Sequence, residues 1–198
     1  MFPAPFPAIL DACVLYPFTL RDTLLRCAER DLYQPYWSDE ILDETTRNLV
    51  EHQAMAPQKA ERLAKAMNDA FPAATVRDYA DLAAGLRNDP KDRHVVAAAL
   101  KAGARVIVTD NIKDFRDLPD GFEAQTADEF LCHLHDLDPG CLLQIIEEQA
   151  ADLENPPRTP EEIAAALAKV TPKFGKAIQA GLKRSRPPVR RAKRPTGA

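Results

Sequence analysis

The 198-residue sequence has only four cysteines, Cys13, Cys27, Cys132 and Cys141, and no C-x-x-C pair among them. A chain of this size has no need of disulfide staples, so they read as reduced packing residues, as expected in a cytoplasmic protein. No apolar run reaches membrane-spanning length, which predicts a soluble protein without membrane contact. The start, "MFPAPFPAIL", lacks the basic segment of a secretory leader and is broken by prolines. Internal repeats are absent. A broadly basic surface is absent too: seven of the 26 Lys and Arg lie in the last sixteen residues, leaving 19 against 30 acids, a formal charge of −11, in residues 1–182. Such an acidic body suits carboxylates gathered on a cation, or a basic partner, better than a nucleic-acid surface of uniform positive charge.

What is present is the composition of an ordinary globular protein, 45% hydrophobic and 28% charged. "AILDACVL" reads as a buried strand over residues 8–11 that carries a carboxylate, Asp11. Strand interiors avoid Asp, and an unpaired buried charge is costly, so Asp11 asks for a function. A helix follows in "TLRDTLLRCAERD", with Thr19 as N-cap and Asp22 three residues on. Ser38 caps a second helix, "DEILDETTRNLVEH", and Pro57 opens a third; a short strand is expected near Ala74–Val76. In "NDPKDRHVVAAALKAG", Asp89 is the expected N-cap, Pro90 the first helical position, Asp92 a first-turn acid and Gly103 the stop. "ARVIVTD" and "FEAQ" read as strands, and Thr126–Glu129 as the capping box of "TADEFLCHLHDL". Alternating strands and helices predict an α/β fold, its parallel sheet covered on both faces. From about Asp138 the pattern is helical alone, with Thr159 and Pro160 opening one of the helices. The sequence therefore divides into an α/β domain over residues 1–137, a helical extension over 138–182 and a disordered basic tail over 183–198.

Chemistry in an open parallel sheet collects at the carboxyl ends of its strands. Asp11 and Asp110 end strands, Asp114 lies one turn on, Asp92 starts a helix directed to the same edge, and Glu40 and Glu44 share one helical face. Converging carboxylates repel one another unless a cation is bound, and oxygen-only ligands favour Mg²⁺ or Mn²⁺. Such an ion activates water and neutralises charge on a phosphate. Each acid also has a plainer reading. Asp22 and Asp89 serve as caps, Asp92 favours the helix dipole, Glu40 and Glu44 form a solvated face, and Asp114 starts a turn.

"ILDACVLYPFTLRD", "SDEILDETTRNL", "DPKDRHVVAAAL" and "VIVTDNIKDF", in this order, resemble the four motif blocks of a PIN domain. More specifically, the chain resembles the VapC-type toxins of bacterial toxin–antitoxin pairs, in the subgroup with a C-terminal helical addition. The likeness covers about residues 6–135 and implies a three-layer α/β/α domain with a central parallel sheet. It also implies a Mg²⁺- or Mn²⁺-dependent endoribonuclease acting on RNA, a small antitoxin as partner, and a homodimer. By resemblance Asp11, Glu44 (with Glu40 in reserve) and Asp92 hold the metal. The fourth acid is Asp110 or Asp114, binding through water or holding a second ion. Thr109 would position water or phosphate. Asn111 stands where many relatives carry the last Asp of Thr-x-Asp, and joins Thr109 as a substrate-binding candidate.

Other constellations carry less. His133-x-His135 beside Cys132 and Asp136 lacks a second ligand pair for zinc and reads as an amphipathic helix. His94, two residues after Asp92, is expected to pack elsewhere. Cys13 has no neighbouring base to make a nucleophile. A haloacid-dehalogenase-type phosphatase needs a second Asp where Cys13 stands. The basic tail is either a phosphate-contacting arm or a solvated end. Two further functions compete with the toxin reading: a housekeeping RNA-processing nuclease, and a catalytically weak binding module motivated by Asn111.

Overall fold

The computed structural model describes residues 5–185. Its centre is a five-stranded, all-parallel sheet in the order β3-β2-β1-β4-β5. The strands are β1 Pro7–Leu10, β2 Gln34–Ser38, β3 Thr75–Val76, β4 Val106–Val108 and β5 Glu123–Gln125. Ala8, Ile9 and Leu10 of β1 are all fully buried. Alternate residues of a strand point to opposite faces, so both faces of the sheet are covered by helices.

The helices are α1 Ala12–Leu15, α2 Phe18–Glu29, α3 Asp39–Glu51, α4 Pro57–Ala70, α5 Arg93–Ala102, α6 Ala127–Leu137, α7 Pro139–Ala151, α8 Pro160–Val170 and α9 Pro172–Ser185. Helix α5 touches β1, β2, β3 and β4, and its small buried run Val95–Ala99 lets it lie close to the sheet. Gly103, at φ +66°, ends it in the left-handed conformation that glycine adopts without a Cβ clash. Helix α2 packs on β2 and α6 on β5; together they carry α7, α8 and α9. Leu142, Ile145, Ile163, Leu167, Phe174 and Ile178 of these last helices join one hydrophobic core with the strands. Buried Thr23 of α2 donates to Gln149 Oε1 of α7 at 3.0 Å, and buried Asp128 of α6 accepts the Lys173 and Phe174 N–H groups that open α9. Among the described residues no helix is long and apolar enough to cross a membrane.

Several local expectations hold: Ser38 caps α3, Pro57 opens α4, Thr126 and Glu129 form a capping box and Thr159 caps α8, where the structure adds a second capping box with Glu162. Others do not. Helix α2 begins at Phe18 after Pro17, so Thr19 lies inside it, and Asp22 pairs with Arg26 one turn on, at 3.1 Å. Helix α5 begins at Arg93, not Pro90. Asp89 instead accepts the Lys91 N–H in a turn, and Asp92 takes the N-cap place without using its side chain there.

Strand β2 escaped the pattern reading because "QPYWS" lacks an apolar run and contains Pro35. Proline is tolerated here for a geometric reason. Strand β3 pairs only with Trp37 and Ser38, so nothing lies opposite Pro35 on that side to receive an N–H. The segment expected to form the basic tail is helical through Ser185, within α9; residues 186–198 lie outside the described residues.

Candidate active site

Asp11 leaves β1 at the carboxyl edge of the sheet and is only 3% exposed. Its backbone N–H still bonds Val108 O, so β4 holds it in register. Its side chain is well occupied. Oδ1 accepts the Ala12 N–H at 2.7 Å, and Oδ2 accepts the Thr109 hydroxyl at 2.6 Å and the Cys13 thiol at 3.2 Å. The burial of this carboxylate is therefore offset by three neutral donors, and among the described residues no Lys or Arg forms an ion pair with it.

Thr109 is fully buried. Its hydroxyl donates to Asp11 and accepts the Asn111 N–H at 3.1 Å. Thus Thr109 orients the Asp11 carboxylate, and its hydroxyl is buried away from bulk water. Cys13 completes the knot, 3.4 Å from Thr109 Oγ1 and accepting the Asp110 N–H at 3.2 Å. Burial, then the Asp11 charge, pushes its thiol pKa up to about 12, so it is a neutral donor and not a nucleophile.

A cavity of about 550 Å³ opens beside this knot. Glu40, Glu44, Asp92, His94, Asn111 and Asp114 line it, brought there by α3, α5 and the turn after β4. Because Asp92 makes no cap bond, its carboxyl is free to face the cavity. Its pKa is raised to about 6, first by burial and then by the charges of Asp11, Asp114 and Asp89. Asp110 faces another way. Oδ1 accepts the Ala127 N–H at the start of α6, at 3.2 Å, and burial raises its pKa while that N–H lowers it. Of the two candidates for the fourth acid, Asp114 lines the cavity with Asp92, whereas Asp110 anchors α6.

His94, expected to pack elsewhere, belongs to the cavity wall. Its ring nitrogens lie 3.8 Å from Glu40 and 4.0 Å from Glu44, and its Nδ1 is buried without a hydrogen bond. The missed signal was the helix start: with α5 opening at Arg93, His94 lies in its first turn beside Asp92. His133 and His135 are elsewhere, His133 on Gln125 and His135 edge-on to Phe174.

Among the described residues no group of three or more His, Cys, Asp or Glu side chains is gathered closely enough to hold a metal ion. The carboxylates and the Asn111 amide nevertheless offer only hard oxygen donors at the candidate positions. Mg²⁺ keeps several waters and needs one or two carboxylates plus phosphate oxygens, so the donor chemistry fits such an ion.

A family model described as VapC50 C-terminal domain matches residues 127–180, beginning at the first residue of α6. A Mycobacterium tuberculosis protein named "Putative ribonuclease VapC50" is 38% identical over 99 residues, which is 48% of this chain and 59% of that protein. The match thus spans little more than half of that relative. No solved structure matches the chain. The model described as PIN domain matches residues 7–113, from the first strand through the turn after β4, and with more than half of its length so covered the chain belongs to the PIN domain family.

Proposed function

We propose that the protein is a metal-dependent endoribonuclease and the toxin of a toxin–antitoxin pair. The observation that carries this reading is the state of Asp92. Its carboxyl is pushed up first by burial and then by the charges of Asp11, Asp114 and Asp89, in a cavity whose two lining cations, Arg47 and Lys91, make no ion pair with it among the described residues. Carboxylates held in mutual repulsion at the edge of a parallel sheet are suited to a divalent cation and a phosphate. The name of the mycobacterial relative points to the same chemistry.

In this reading Asp11, Glu44 and Asp92 hold Mg²⁺ or Mn²⁺, with Asp114 acting through water and Glu40 in reserve. Bound there, the ion would supply charge neutralisation at the scissile phosphate and a lowered pKa for the attacking water. The chain does the rest. Thr109 and Cys13 fix the rotamer of Asp11, so the carboxylate need not reorganise as charge develops. Asp114, the carboxylate not engaged with the ion directly, orients the attacking water and accepts its proton. Asn111, which lines the cavity, would donate its amide to a phosphate oxygen.

A basic antitoxin segment suits the acidic cavity, and a homodimer and a cytoplasmic location belong to the same reading. The deciding experiment is expression of the wild-type protein and Asp11→Asn side by side, with growth followed and cleaved RNA ends sequenced. Growth arrest and new 5′-phosphate ends are expected from the wild type alone. Equal cleavage by Asp11→Asn, or undiminished cleavage in excess EDTA, would sink the proposal.

A further inference from the structure

The carboxylate cavity does not end at His94. A second cavity of about 380 Å³ shares Glu40, Lys91 and His94 with it and continues over Tyr79, Ala83 and Pro90. The chemistry changes at that seam, from carboxylates on one side to a phenol ring, alanine and proline on the other, with Arg93, which donates to Asn88 O, also in the wall. Tyr79 immediately precedes the 3-10 turn Ala80–Gly85, which packs on α5. Its hydroxyl donates to Glu40 Oε2 at 3.2 Å, so the half-buried ring is tethered beside α3. Lys91 is exposed at the seam. Although Glu40, Glu44, Asp92 and Asp114 line the same space, Lys91 makes no ion pair among the described residues. A cation left unpaired beside so many carboxylates is available to an anion from outside the protein.

Resting on the endoribonuclease reading, we propose that the Tyr79 cavity is a nucleobase subsite. It takes the base of a nucleotide next to the cleaved bond, while Lys91 holds the phosphate between base and cleavage point. Its neighbours suit this occupant: a π face for stacking, an apolar floor, a free cation at the seam and direct continuity with the carboxylates. Both volumes fall in the range of nucleotide-sized sites, roughly 300–1,000 Å³. A base reaches such a pocket only when unstacked and unpaired, so the substrate is single-stranded RNA or a loop, not a duplex.

The test measures binding of a short single-stranded RNA by fluorescence anisotropy on the Asp11→Asn background, and kcat and KM of the same substitutions on the wild-type background. Tyr79→Ala is expected to weaken binding and raise KM about tenfold, the scale of losing one base–aromatic stack. Tyr79→Phe keeps the ring, loses the Glu40 bond, and is expected to stay within about twofold of its parent. Lys91→Ala should lower the slope of log affinity against log salt by about 0.7, the loss of one single-strand phosphate contact. Tyr79→Leu, which keeps apolar bulk without a π face, is the second variant if Tyr79→Ala melts early. Unchanged binding by both Tyr79→Ala and Tyr79→Leu, Tyr79→Phe as impaired as Tyr79→Ala, or equal affinity for duplex RNA would each overturn the subsite. A wild-type protein that cleaves no RNA would overturn the nuclease reading instead, so the two failures are distinguishable.

Discussion

The Thr109 hydroxyl donates to Asp11 Oδ2 at 2.6 Å, joining the residue that follows β4 to the residue that follows β1, 98 positions apart in sequence. This bond is short because its acceptor is charged and water is excluded around it. It also explains how a strand can end on a buried carboxylate.

Thr109→Val keeps the shape of the side chain and removes the hydroxyl, both the donor to Asp11 and the acceptor of the Asn111 N–H. We expect a loss of about 1–3 kcal/mol in stability, because one lobe of a buried carboxylate loses its best partner. RNA cleavage should fall about 10–100-fold, the usual cost of removing a group that orients a candidate metal-ligand carboxylate. Thr109→Ser should restore most of both. Chemical denaturation and single-turnover cleavage measure the two effects separately.

Asp92 has its pKa raised from 3.8 to about 6. The native state therefore binds this proton more tightly than the unfolded chain does. The resulting stability is fully present below about pH 3.8 and is lost as pH rises to about 6. In EDTA at pH 7.5, Asp92→Asn should consequently be more stable than the parent, by about 1 kcal/mol once solvent screening of this partly exposed group is allowed for. The gain should fade between pH 6 and 4. Melting curves of both proteins across that range check the sign, and a variant less stable at pH 7.5 would contradict it. Mg²⁺ or Mn²⁺ should raise the melting temperature of the parent and not of the variant.

Cys13 is a hydrogen-bond donor with its thiol held near pKa 12. Alkylating reagents at pH 8 should leave it unmodified in the folded protein and react once denaturant is added, as peptide mass mapping would reveal. Cys13→Ser, which keeps a donor, is expected to retain cleavage within about tenfold, since the thiol contributes orientation alone. Abolished cleavage in a folded Cys13→Ser protein would assign the thiol a chemical task.

The last two helices are joined at Gly175. A Cβ built there would meet the Ala168 backbone at 2.5 Å, so α8 and α9 cannot keep their spacing with any larger residue. Gly175→Ala should cost about 1–3 kcal/mol through overpacking, despite the higher helix propensity of alanine. Asp128→Ala should destabilise the same junction by leaving the Lys173 and Phe174 N–H groups without their acceptor. Differential scanning calorimetry resolves both shifts.

Residues whose task is local were legible from the chain alone. Ser38, Thr126, Thr159, Pro57, Pro160 and Gly103 end or begin helices through contacts within four residues, and the apolar run before Asp11 forms the central strand. The acidic positions were legible as well, because carboxylates at strand ends conflict with burial and so stand out against the pattern. What the chain could not display was the partner of each group. Strand β2 exists because β1 lies beside it, and Pro35 is allowed because β3 stops short of it. Asp110 and Asp114 look equivalent in sequence. The Ala127 N–H at the start of α6 holds one of them, Asp110, and the other lines the cavity. Thr109 read as a contact for water or phosphate and Cys13 as a bystander, until the pairing of β1 with β4 brought Thr109 onto Asp11 with Cys13 beside both. Capping and periodicity are short-range and written in adjacent residues; hydrogen-bond partnership, burial and mutual repulsion depend on distances that only the packed chain sets.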